Sequence, residues 1–88
     1  MTPSQFIDTL NSNLDPEFPA SLDRETPEGF QFQFEAGGYI AVVLFQEDGV
    51  HLLEDASLED MADSYPISYP NLEELAADII LQFKESEL

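Results

Sequence analysis

The chain has 88 residues, of which 19 are Asp or Glu and only 2 are Lys or Arg, giving a formal net charge of −17. So negative a surface is repelled by phosphate backbones and anionic lipid leaflets, which argues against direct binding to DNA, RNA or membrane. At 43% hydrophobic and 11% aromatic the chain is too apolar for an acidic disordered tail, so residues 1–88 read as one small folded domain.

Cysteine is absent, so neither a disulfide nor a thiolate metal site is available, and a reducing cytoplasm is the default compartment. Met1 to Gln5 has no basic stretch followed by an apolar one, so no secretory signal is expected. The longest apolar run, Tyr39 to Phe45, falls far short of the ~20 residues that span a bilayer.

Thr2-Pro3 has the form of an N-cap followed by proline at the first helical position. Phe6, Ile7, Leu10 and Leu14 follow at helical spacing, predicting a helix from Pro3 to Leu14 with Asp8, Asn11 and Ser12 outward. Asp15 to Glu28 contains Pro16, Pro19 and Pro27 and reads as a loop pinned by Phe18 and Leu22. Gly29 to Ala36 alternates, with Phe30, Phe32 and Phe34 on one face and Gln31, Gln33 and Glu35 on the other. That is the pattern of a half-buried strand. Gly37-Gly38 and Asp48-Gly49 are two-residue turn signals, separating this strand from Tyr39–Gln46 and Val50–Glu54. Turns of that length would set Phe34 opposite Ala41, Phe32 opposite Val43, and Phe45 between Phe30 and Leu52.

The other face of these strands carries Ile40, Val42, Leu44 and Leu53. A sheet with water on one side alternates apolar and polar residues, and the middle strand does not. Another part of the chain, a second copy or a partner is needed to cover it, so these four residues form a candidate dimer or client face.

Ser57 to Ser64 reads as a short helix, with Ser57 and Asp60 as its cap and Leu58, Met61 and Ala62 as its apolar side. Ser64-Tyr65-Pro66 is repeated as Ser68-Tyr69-Pro70, and each proline biases the tyrosine before it toward extended backbone. The two tyrosines either pack the segment onto the core or stand out as rigid binding contacts. Asn71 and Glu74 cap a last helix running to Lys84, with Leu72, Leu75, Ala76, Ile79, Ile80 and Phe83 as its apolar stripe. The expected fold class is α+β: a three-stranded antiparallel meander packed by an N-terminal and a C-terminal helix, in the order α-β-β-β-short α-α.

Catalytic chemistry finds little support. His51 is the only histidine, and no serine sits in a nucleophile elbow. Carboxylate pairs abound, but a domain this small leaves little room for a substrate cleft of ~300 Å³ or more. An EF-hand aligned on Gly49 would put Leu44 at the first ligand position, so no built calcium site is expected. Zinc would need histidine or cysteine partners that His51 lacks. No catalytic, cofactor or metal residue is therefore assigned.

What remains is the charge, far beyond the roughly 2–8 units that keep a small domain soluble. Glu54, Asp55, Glu59, Asp60 and Asp63 follow the third strand, and Glu73, Glu74 and Asp78 lie on the last helix. Helical residues three or four apart have Cβ atoms ~5–6 Å apart, close to the spacing of neighbouring phosphates on a strand. These eight residues are the expected contact surface for a basic protein that itself binds nucleic acid: a nuclease, a CRISPR or restriction effector, a repressor or a histone-like protein. In charge and size the chain resembles small acidic anti-CRISPR and anti-restriction proteins, although it carries no motif of theirs. The alternatives are a small acidic dimeric chaperone or adaptor, similar in character to the usually longer type III secretion chaperones, and an immunity protein against a basic toxin. Generic acidity and salt adaptation are the non-specific explanations of the charge.

Overall fold

The computed structural model describes residues 1–61 and 64–86. Its elements are α1 (Pro3–Asn13), β1 (Ala20–Thr26), β2 (Gly29–Phe34), β3 (Tyr39–Gln46), β4 (Gly49–Glu54), β5 (Ile67–Tyr69) and α2 (Leu72–Ser86). The strands form one antiparallel sheet in the order β1-β2-β3-β4-β5. The class is α+β as expected, but the sheet has five strands where the sequence suggested three.

α1 begins with a full capping box: the Gln5 amide donates to Thr2 Oγ1 (3.1 Å) and the Thr2 amide donates to Gln5 Oε1 (2.8 Å). Two otherwise orphaned donors are thereby satisfied. α2 is capped by Asn71, whose Oδ1 accepts the Glu74 amide at 2.8 Å.

Residues 20–26 form a strand where the sequence suggested a loop. The prolines that suggested a loop bracket a strand without interrupting it. Pro19 precedes β1 and Pro27 lies in the turn to β2. A proline costs a ladder bond only inside a strand. Asn11 fixes the start of β1: its Oδ1 accepts the Ala20 amide (2.7 Å) and its Nδ2 donates to the Ala20 carbonyl (3.0 Å). A register shift between Leu22 and Arg24 lets both ends of the strand pair with β2.

The central register also differs from the expectation. Phe34 faces Tyr39, Phe32 faces Ala41, Phe30 faces Val43, and Phe45 faces Val50. The β2–β3 connection spans Glu35 to Gly38, with Gly37 and Gly38 at φ +92° and +68°. At the next turn Glu47-Asp48 joins the strands and Gly49 already belongs to β4. A Cβ on Gly49 would stand 2.2 Å from the Tyr69 carbonyl oxygen, so glycine permits the close approach of β5. Both pairings slip by two residues, one side-chain period, so every residue keeps its expected face.

One face is covered by the two helices. Phe6, Leu10, Phe30, Phe32, Ala41, Val43 and Leu75 are fully buried there. The Phe6 ring meets Phe30 and Phe32 edge-on at centroid distances of 5.4 and 5.3 Å, an arrangement that adds to simple area burial.

The other face is covered by an irregular segment, not by the expected short helix. No short helix forms among the described residues from Ser57 onward. Ser57 and Asp60 instead close a tight turn through reciprocal amide-to-carbonyl bonds of 3.1 Å. The Asp60 amide does reach Ser57 Oγ (3.1 Å), as the capping pattern implied, but within this turn. A helix of two turns is marginal by itself. Here the segment lies as a strap across the sheet, where Ala56, Leu58 and Met61 pack on Val42 and Leu53. Ala62 and Asp63 lie outside the described residues.

Candidate functional site

The strap and α2 divide the expected acidic surface. Glu59 and Asp60 sit on the strap, over the outer face. Glu73, Glu74 and Asp78 sit on α2, on the helix-covered side. Glu54 ends β4 on the side of Ala41, its register partner, and Asp55 turns the chain toward the strap at φ +54°. The eight residues therefore form no single strip, and Asp63 lies outside the described part of the chain.

Neutralisation is uneven. Among the described residues there are two ion pairs: Arg24 Nη1 to Glu59 Oε1 at 2.7 Å, and the N-terminal ammonium to Glu73 Oε1 at 3.1 Å. Glu73 is held below the usual carboxylate range, first by its own backbone N–H at the start of α2 and then by that ammonium. Glu74 stands exposed.

Tyrosines organise two other carboxylates. The Tyr39 hydroxyl donates to Glu54 Oε2 at 3.0 Å, and the Tyr69 hydroxyl donates to Asp78 Oδ2. Gln82 Nε2 also donates to Asp78 Oδ2, at 2.9 Å. Burial, followed by the neighbouring carboxylate, raises both phenols: Tyr69 is pushed up to about 12, and Tyr39 is shifted in the same direction. Between these pairs lies a cleft of about 240 Å³ lined by Leu52, Ile67 and Phe83. The repeated Tyr-Pro units thus separate in role. Tyr69 is half-buried in β5, whereas Tyr65 is 90% exposed.

The apolar residues of the outer face are also divided. Val42 and Leu53 are buried beneath the chain's own strap, while Ile40 and Leu44 are half-exposed beside it. His51 shares that face, opposite Leu44 and Ser68. Among the described residues no three His, Asp or Glu side chains converge as metal ligands, and no helix is long and apolar enough to cross a membrane.

Sequence reasoning missed the groove between β5 and α2. Ile67 (42% exposed) and Leu81 (55% exposed) border it, with Glu74 and Asp78 on its helical side. The available signal was Leu81, an apolar residue off the buried stripe of α2. No family model, no curated protein and no solved structure matches the chain.

Proposed function

We propose that this protein is a non-enzymatic charge mimic of nucleic acid, occupying the nucleic-acid site of a basic partner and inhibiting or modulating it. The observation that carries this reading is charge density. The domain measures 33 × 23 × 21 Å and bears a net charge of −17. At one charge per ~1.7 Å of axis, a duplex as long as the 33 Å dimension carries about 19. A folded domain holds these charges in place before binding, and a field of this strength steers a basic partner into encounter.

The test is capture from nuclease-treated source-cell lysate on the immobilised protein at ~50 mM and ~500 mM salt, across which exposed charges become screened. The expected result is a nucleic-acid-binding protein held at low salt, released at high salt and displaced by added duplex DNA or RNA. Capture that nucleic acid does not displace would overturn the reading. The adaptor reading draws support only from half-exposed Ile40 and Leu44, since Val42 and Leu53 are already covered. It calls for a client retained at ~500 mM salt.

A further inference from the structure

We infer that the groove between β5 and α2 receives a basic, amphipathic segment of the partner protein, its apolar side chains resting on Ile67 and Leu81 and its cations on Glu74 and Asp78. This inference rests on the proposed function and names the part of the surface that carries it.

Charge alone does not select this place, because carboxylates surround the molecule. The selection comes from apolar groups exposed among them. Ile67 and Leu81 border a groove of about 380 Å³, and Tyr65 stands just before β5 with 90% of its surface exposed. An apolar centre with a polar rim is the usual anatomy of a protein interface. Glu74 and Asp78 are four residues apart and share one face of α2. Unlike Glu59 and Glu73, neither is taken up by an ion pair among the described residues. Asp78 is also pre-oriented. Tyr69 and Gln82 both donate to Oδ2, and among the described residues no donor reaches Oδ1. A cation arriving there finds a carboxylate whose ordering cost is already met by the fold.

The form of the occupant follows from β5. This edge strand has three residues, bracketed by Pro66 and Pro70. Neither proline offers an amide donor, so strand addition has little ladder to extend. Recognition therefore falls to side chains in the groove.

The test uses the labelled protein and two synthetic hexapeptides of equal charge, acetyl-(Leu-Arg)₃-amide and acetyl-(Ser-Arg)₃-amide, followed by amide chemical shifts. The Leu peptide is expected to bind about tenfold more tightly, a difference of ~1.4 kcal/mol. Shifts should centre on Ile67–Tyr69 and Glu74–Leu81. Leu81→Ser, at an exposed position, should abolish the preference, while a Glu74→Gln/Asp78→Asn double variant should weaken both peptides. Equal affinities, shifts centred on the strap, or no binding by either peptide would overturn the inference. So would the same shifts appearing with protein concentration alone, since the occupant would then be a second copy of the chain. Lysate capture reads the wider proposal separately. A DNA-displaceable partner captured there, with the peptides bound elsewhere, removes the groove and leaves the mimic standing.

Discussion

The two faces of this sheet are covered in different ways. On one, α1 and α2 close over Phe30, Phe32, Phe34, Ala41 and Val43, and the helix rings of Phe6 and Phe83 meet Phe32 and Phe34 of the sheet. On the other, an irregular strap covers Val42 and Leu53 with Ala56, Leu58 and Met61. The strap is tied by the Arg24–Glu59 pair, by the Leu58 amide donating to Gln31 Oε1 at 3.0 Å, and by the Ser64 hydroxyl donating to the Glu54 carbonyl at 3.3 Å. An amphipathic helix offers a wide apolar stripe, whereas a strap offers a few side chains. Stability is therefore concentrated under the helices, and the strap is expected to open at lower cost than the core.

The largest effect should come from breaking the helix-covered face. Phe32 has no exposed surface and touches the rings of Phe6, Phe30, Phe34 and Tyr39. Phe32→Ala should cost about 4 kcal/mol, a large part of a small domain's stability, read as a lowered urea midpoint. Val42→Asp comes next. Val42 is also fully buried, and a carboxylate there would lie among Leu53, Ala56, Leu58 and Met61. A loss of about 3 kcal/mol is expected. A native-like midpoint would show that the strap leaves Val42 accessible to water, and the contrast between the faces would disappear.

Raising the pH tests the helix-covered side by another route. The folded-state value of Tyr69 lies above that of a free phenol, at about 12. Its contribution is therefore fully present below pH ~10 and is lost as pH rises through the folded value. Tyr39 acts in the same sense. The urea midpoint should fall as pH rises from ~10 toward ~12, and should fall less in Tyr69→Phe. The smallest effect belongs to the strap's ion pair. Arg24 and Glu59 keep 51% and 80% of their side-chain surface exposed. Arg24→Ala should cost below about 1 kcal/mol globally. It should nevertheless speed amide exchange in the strap more than in β2 or β3, and a uniform increase would mean that the strap opens only with the whole domain.

The sequence alone determined what is written in local periodicity. The Thr2-Pro3 start and the Asn71/Glu74 pair mark where both helices begin, and the Phe30-Phe32-Phe34 alternation sets the buried face. It also supplied the charge and the outer apolar residues that need a cover. Only tertiary structure decided the rest. β1 carries Asp23, Arg24 and Glu25 and changes register midway, so no clean alternation announces it. It is a strand because β2 has an edge to pair and Asn11 holds its first residue. β5, with three residues, is too short for a periodic signal and forms where β4 offers partners. Ser57–Asp60 has helix-like caps, yet covering Val42 outweighs them. The same division applies to the acidic surface, where the chain specifies the carboxylates and folding places Glu59 and Asp78 on opposite sides of one sheet. The reason is physical: backbone geometry imposes its period on neighbouring residues, whereas burial and ladder pairing join residues far apart in the chain and leave little local trace.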